Sequence, residues 1–394
     1  LYIVDDIRPL RTLSEEIQKK PLHLFEIADA RQYREAQTGG SRFPGNGEYR
    51  GQTRPYGALL HYTLQAPGLP HPDDEKERER KEADRAAKGT GPRPEKPAPT
   101  PAEKEAAERT SEGKVDPKPT PAEDEEGRRD RKPEAEIQVL DATGKVIRTF
   151  KAPAVQGLNR AVWDLRHDAF RQPPTSRPVE DNPWRQSRGP EALPGTYTVK
   201  VKYGGQEAQG TMRVLPDPRF EPAEEARRAN FAAFQRAGAL QNTHVEAIER
   251  VVRTREDVRT VAARLRQQEE AAKRQAAGGE VSFPHKDLLA STRKLTRDLD
   301  ALEARLRQPE NPGGILPDND AGSKLGDIQR SLSSSWDAPT PAQLAYLEEA
   351  EETLRAVLAD LNRYFADEVA PFRAKVREAG IGLLPEVEAL EVKR

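Results

Sequence analysis

The period of the hydrophobic pattern changes along this 394-residue chain at PDPR, residues 216–219. Before this point apolar residues alternate with polar ones. In residues 197–203 the odd-numbered side chains share one face, and Gly204-Gly205 follows as a hairpin turn. After PDPR, apolar residues recur at three- and four-residue steps, the spacing of an amphipathic helix. The sequence therefore predicts an α+β protein of several domains, with the strands first and the helices second.

Short strand patterns separated by turn signals fill much of the first half of the chain. They are YGALLHYTLQ (56–65), AEIQVLD (135–141), KVIRTFK (145–151), GLNRAVWDLR (157–166), GTYTVKVKYGG (195–205) and QEAQGTMRVL (206–215). Strands of this number and length are typical of a β-sandwich of the immunoglobulin or fibronectin type III kind. We therefore predict such a sandwich over residues 56–215.

Residues 66–133 interrupt the strand pattern. They are rich in proline and in charged runs such as DDEKERERKEAD (73–84), with almost no large apolar side chain. Such a segment cannot bury enough surface to offset roughly 1–2 kcal/mol of backbone entropy per residue. We predict a disordered insertion in one loop of the sandwich, with room for transient helix, and favour a solvated loop over an interaction tail. Loop-closure entropy grows slowly with length, so a sandwich tolerates it.

Two amphipathic helices are predicted after residue 219. Residues 222–275 have no internal proline, and their apolar side chains recur at helical spacing. A second helix is predicted at about 286–308. Its seam consists of Leu295, Leu299, Leu302 and Leu306. The polar outer faces of these segments predict an antiparallel helical bundle over residues 222–380, with a tail at 381–394.

A third helix is predicted from APTPAQ, after the loop 309–324. Thr340 has the position of an N-cap, Pro341 that of the first helical residue, and Gln343 completes a capping box. Pro371 is expected to kink or end this helix, because it lacks an N–H group and its ring crowds the preceding turn.

The composition excludes several classes of site. The chain has no cysteine, so it has no disulfide, thiolate zinc site or cysteine nucleophile. No apolar run approaches the roughly 18 residues of a membrane span. The net charge of -2 gives no overall field that would select nucleic acid. Acids and bases are balanced over residues 222–308, which predicts solvated helix faces with i,i+4 pairs rather than a nucleic-acid interface.

Candidate metal ligands are few, whereas Asp and Glu total 66 residues, too many for a catalytic carboxylate pair to be singled out. None of the histidines forms an HxH or HExxH spacing, and His61 is interpreted as a strand residue. His71 with Asp73 and Asp74 could meet a metal, but a loop is the favoured interpretation. Asp5-Asp6 is the carboxylate pair that most resembles a catalytic pair. We interpret it as part of a turn at the end of a strand, where it caps the next helix. No cofactor is predicted.

The glycine-containing run FPGNGEYRGQ (43–52) lacks the lysine and helix start of a phosphate-binding loop, so it is interpreted as a loop. The remaining candidate ligand-binding residues are tryptophans. In GLNRAVWDLR, strand alternation turns Trp163 into the core and Asp164 toward solvent, so the two cannot share a sugar-binding cleft. Trp184 lies in the loop DNPWRQ, outside any strand pattern, and is the candidate ligand-binding residue.

Several runs, in order, resemble the C-terminal region of bacterial exported proteins with a sortilin-like (VPS10-type, BNR/Asp-box) β-propeller. LYIVDDIRPLRTLSEEI, within residues 1–20, looks like the propeller's closing strand and exit, and residues 21–55 would be an irregular connector. The runs that resemble the following sandwich are PYGALLHYTL, IQVLDATGKVIRTF, GLNRAVWDLR, LPGTYTVKVKYGG and VLPDPR. The pattern opening at Leu1 leads us to expect a piece of a longer protein.

Proteins of this kind are often labelled glycosyl hydrolases, and the resemblance implies that any catalytic face lies on the propeller. It implies a secreted or periplasmic, non-catalytic accessory module, which packs on its own propeller and binds a protein or glycan partner or self-associates. One alternative is a carbohydrate- or peptide-binding module using Trp184. Another is part of a glycoside hydrolase or sialidase-like enzyme, in which Asp5, Asp6 or the loop 21–55 completes a site on the propeller.

Overall fold

A computed structural model describes residues 6–34, 54–87, 133–175, 189–220, 222–275, 283–309, 314 and 317–381. The fold combines sheets with helices, and the chain divides into two compact units. The first consists of Leu1–Leu165 and Pro194–Asp217, the second of Arg166–Leu193 and Pro218–Arg394. The sequence-based sandwich at 56–215 included residues 166–193, whose contacts group them with the helices instead.

Two sheets form the first unit. A three-stranded antiparallel sheet has the order β1-β3-β6, with β1 at Leu22–Leu24, β3 at Ala58–Leu64 and β6 at Gly157–Trp163. The second sheet has five strands and curls into a half-barrel. Its order is β2 (Ala30–Arg31), β8 (Gln206–Leu215), β7 (Gly195–Tyr203), β4 (Glu134–Leu140) and β5 (Val146–Pro153).

Each of the predicted strand patterns contains a strand, and the connector 21–55 adds β1 and β2. The alternation in β4 is confirmed, since Ala135, Ile137 and Val139 are fully buried. In β7 the inward face is also confirmed, except that Tyr203 is only half-buried beside the hairpin turn. The immunoglobulin-like sandwich itself stays a prediction.

Helix α3, Asp74–Ala87, begins inside the segment predicted to be disordered. This helix lies in a segment where the sequence allowed transient helix, and the rest of the insertion from 88 to 132 lies outside the described residues. Local bonds account for the helix: the carboxylate of Asp73 accepts the backbone N–H of Glu75 at 3.0 Å, as an N-cap does. Glu77 then pairs with Arg80 at 2.8 Å. Two five-residue helices precede β1, α1 at Arg8–Thr12 and α2 at Glu15–Lys19.

The helical unit contains α4 (Glu224–Gln275), α5 (Lys286–Leu306), α6 (Ala321–Leu332), α7 (Pro341–Tyr364), a π-helical turn (Phe365–Val369) and α8 (Ala370–Glu378). Side-chain bonds fix their directions. Arg255 of α4 meets Asp300 of α5, and His244 meets Leu306, so the two helices run antiparallel. Arg305 of α5 meets Asp360 of α7 and Lys294 meets Glu368, which makes α5 and α7 antiparallel as well.

The capping box of the third predicted helix is confirmed: Thr340 accepts the N–H of Gln343 at 3.2 Å and donates its own N–H to the Gln343 side chain at 2.8 Å. The predicted leucine seam of α5 is buried.

Two expectations for this unit are corrected. Residues 321–324 of the predicted loop already belong to α6, because the carboxylate of Asp320 caps Ser323 at 2.9 Å. Pro371 does not end the helical path, while the expected kink stays a prediction. It follows the π-helical turn as the second residue of α8, where the wider turn accommodates a residue without an N–H group.

In the ranges that the structure describes, no helix combines the length and the apolar character that crossing a bilayer requires.

Candidate functional site

Trp163 is a core residue. Its side chain is fully buried in β6, and its ring meets that of Tyr197 edge-on with centroids 5.2 Å apart. The predicted burial is confirmed. Asp164 is half-buried beside it. Trp163 therefore cannot stack on a sugar, and Trp184, the other candidate, lies outside the described residues.

Asp6 is occupied by a structural ion pair. Its two carboxylate oxygens accept from the Arg8 guanidinium at 3.0 and 2.7 Å, and one also accepts the Arg8 backbone N–H. These bonds hold the pKa of Asp6 at about 2, with the Arg8 side chain as the main cause. Asp6 thus accepts the N–H of the first residue of α1 from the position before the N-cap, Ile7, whose own side chain forms no cap bond. Asp5 and the glycine-containing run 43–52 lie outside the described residues.

His71 and Asp73 belong to the start of α3. The His71 ring nitrogen Nδ1 accepts the Asp73 N–H at 3.0 Å, and Glu77 accepts the His71 N–H at 2.8 Å. Among the residues described, no group of three or more His, Asp or Glu side chains is arranged to hold a metal. His61 lies on β3 opposite Arg160, and burial lowers its pKa.

One candidate site is a groove between α4 and α5, which we call the arginine groove. Its volume is about 710 Å³. The described residues that line it are Arg259, Ala262 and Arg266 of α4 and Thr292, Arg293, Thr296 and Arg297 of α5. Four of these seven side chains are cationic, and none is acidic.

Helix geometry explains the convergence. Arg259 and Arg266 are seven residues apart, two turns of α4, so they lie on one face about 10 Å apart along the helix axis. Arg293 and Arg297 are one turn apart on α5, about 6 Å along its axis. The antiparallel register set by Arg255 and Asp300 brings these two stretches opposite each other.

The four groove arginines have no ion-pair partner among the described residues. All four are exposed, and none forms an ion pair or hydrogen bond with any described residue. Two other cations on the same helices are paired: Arg255 meets Asp300 at 2.8 Å, and Lys294 meets Glu368 at 2.7 Å. Asp300 and Glu368 thus serve cations outside the groove, and the described lining of the groove has four cations and no acid.

One pair in the groove is unfavourable by itself. Arg293 and Arg297 are like charges at i,i+4, an arrangement that costs about 0.2–0.5 kcal/mol in an isolated helix. The threonines add little charge compensation, because Thr292 donates to the Leu289 carbonyl at 2.7 Å and Thr296 to the Thr292 carbonyl at 2.9 Å. An anion placed between the helices would relieve this repulsion.

Sequence analysis missed the groove. The balance of acids and bases over 222–308 correctly indicates paired faces in general. It carries no information about which arginines find a partner, because the partners lie on other helices. The visible signal was the absence of any acid among residues 258–268 of α4.

Comparisons of the chain with protein-family models, with curated proteins and with solved structures find no match. The functional assignment therefore rests on the geometry of the arginine groove and on the order of the sequence motifs.

Proposed function

We propose that this chain is a non-catalytic accessory module of an exported β-propeller protein, and that its helical unit holds an anionic partner in the arginine groove. The first part rests on the ordered sequence motifs that resemble the region after a sortilin-like propeller. The second part rests on one observation: four exposed, unpaired arginines line a single groove.

Arginine is the cation suited to this role. Its planar guanidinium donates two parallel hydrogen bonds to a phosphate, sulfate or carboxylate group, and it stays charged at any physiological pH. Four such groups facing one groove also steer an anion toward it, an effect that weakens with salt. Binding by the groove should therefore be strong at low ionic strength and fall steeply as salt is added.

In this proposal the strand-rich unit is an immunoglobulin- or fibronectin-like sandwich that packs on the propeller. The exit segment at 1–20 would make part of that contact. Ile7 and Leu10, 44% and 55% exposed in this segment, offer apolar surface for it. The whole protein would be secreted or periplasmic.

Calorimetric titration of the 394-residue chain with a panel of polyanions tests the binding role. The double variant Arg259→Gln, Arg293→Gln should lose binding to every anion that the parent chain holds. Arg264→Gln is the matched control, since Arg264 is exposed on α4 but does not line the groove. Equal binding by the double variant, or no binding of any polyanion by the parent, would refute the binding role.

The coding sequence upstream of Leu1 tests the accessory role. A signal peptide followed by Asp-box blades would support it. An unrelated catalytic domain there, or turnover of glycosides by residues 1–394 alone, would contradict it.

A further inference from the structure

We propose that the partner of the arginine groove is a linear condensed phosphate, a chain of phosphate units joined by shared oxygens. This identification rests on the proposed anion-binding role of the groove and adds the chemical class of the ligand. Three properties of the described lining carry it: its donors and acceptors, its lack of flat rings, and its dimensions.

The lining is rich in donors and poor in acceptors. Four guanidinium groups offer roughly twenty N–H donors. The only side-chain acceptors among the described lining residues are the hydroxyl oxygens of Thr292 and Thr296, and Thr292 is buried. A ligand with many hydroxyl or amine donors would leave them without partners, which costs free energy. A condensed phosphate consists of acceptors alone, so it matches this lining.

The described lining also has no aromatic side chain. Proteins that bind single-stranded nucleic acids stack the bases on aromatic rings, and sugar sites use the same rings as platforms. Neither a base nor a pyranose ring finds such a platform here. Chemistry that presents charge without bases is therefore favoured over a single-stranded oligonucleotide.

The dimensions favour a chain over a single ion. The groove encloses about 710 Å³, the size range of sites for ligands of many atoms. Its arginines extend over two turns of α4, about 10 Å. One orthophosphate could engage only part of this set, whereas a chain with a negative charge on every unit can meet all four guanidinium groups together.

Calorimetric titration at one low salt concentration tests the identification with the intact 394-residue chain. The probes are orthophosphate, tripolyphosphate, a longer polyphosphate, a sulfated oligosaccharide and a single-stranded oligonucleotide of equal charge. We expect the longer polyphosphate to bind tightest and orthophosphate at least roughly tenfold more weakly, because each lost charge-assisted contact costs about that factor.

Two variants sharpen the test. Arg259→Lys with Arg293→Lys keeps the charge but removes the bidentate fork, and should weaken polyphosphate binding by roughly tenfold. Arg264→Gln should leave it unchanged. Circular dichroism of each variant establishes that the helices are intact.

The outcomes separate the ligand class from the groove's role. If the sulfated oligosaccharide or the oligonucleotide binds as tightly as polyphosphate and depends on the groove arginines, the ligand class is wrong while the anion-binding role stands. If polyphosphate binds no better than orthophosphate, the chain-length inference is likewise overturned. Polyphosphate binding that is unchanged by substitution of Arg259 and Arg293 would contradict both the ligand class and the anion-binding role of the groove.

Discussion

The Nε2 atom of His244 lies 2.8 Å from the carbonyl oxygen of Leu306, and this bond ties the middle of α4 to the last residue of α5. Since the carbonyl accepts, Nε2 carries the hydrogen. The second ring nitrogen, Nδ1, is buried without a hydrogen-bond partner in the described chain. A proton added there would place a charge on a nitrogen that is shielded from solvent and has no acceptor among the described residues, so the fold favours the neutral ring.

We expect the helical unit to lose stability in mild acid through His244. Burial lowers the pKa of His244, outweighing the opposite effects of the Leu306 carbonyl and of Asp320, while Arg307 lowers it further. The unfolded chain therefore binds the proton first, so stability is full above pH of about 6.5 and falls as the pH drops below it. Urea unfolding between pH 7.5 and 5 measures this change.

His244→Gln should flatten that pH dependence while keeping an N–H donor near the Leu306 carbonyl. His285→Gln, a change at the N-cap of α5, serves as the control and should leave the dependence as it is. A parent protein whose unfolding midpoint does not change between pH 7.5 and 5 would contradict the neutral, buried ring.

Two helical glycines should respond in opposite directions to alanine. A Cβ at Gly238 would lie 1.9 Å from the ring of Phe170, so Gly238→Ala must displace that ring and should cost about 1–3 kcal/mol. Gly326 in α6 faces open space, and Gly326→Ala should stabilise by about 0.5–1 kcal/mol. Thermal unfolding of both variants checks the pair. Equal shifts would show that Phe170 does not pack against α4.

Trp163→Ala should destabilise the strand-rich unit by about 3–5 kcal/mol, because a large, fully buried side chain leaves a cavity. Leu158→Ala on the same strand is the control. Leu158 is 41% exposed, and its loss should cost less than about 1 kcal/mol. Denaturant unfolding gives both values, and a small loss for Trp163→Ala would contradict its place in the core.

Arg297→Gln should separate stability from binding. Removing one member of the like-charge pair with Arg293 should raise the free energy of unfolding by about 0.2–0.5 kcal/mol. The same change should weaken polyanion binding, because one guanidinium leaves the groove. Chemical denaturation and calorimetry on one preparation measure the two effects. A variant that loses stability would indicate that Arg297 supports the fold rather than a ligand.

Local chemistry was predictable from the sequence, and tertiary context was not. The capping box at Thr340 and the alternation of β4 depend on residues a few positions apart, so their patterns were sufficient. Helix α6 was missed because its apolar seam is short and follows a loop rich in Gly, Pro and Asp. The continuation of the helical path through Pro371 was not predictable because the π-helical turn before it cannot be read from the residues themselves.

The candidate site shows the same division. Strand alternation correctly turned Trp163 inward. The arginine groove depends on which carboxylates the neighbouring helices present to each cation: Asp300 of α5 pairs with Arg255, and Arg259 has no partner among the described residues. No pattern within α4 contains that information.

Arginine-selective dicarbonyl labelling, read by mass spectrometry with and without polyphosphate, tests the groove most directly. In the free chain we predict rapid labelling of Arg259, Arg266, Arg293 and Arg297, and slow labelling of Arg255, which is paired with Asp300. Polyphosphate should protect the four groove arginines together and leave Arg264 reactive. Protection of Arg264 to the same degree, or no protection of the groove at a saturating concentration, would contradict the account.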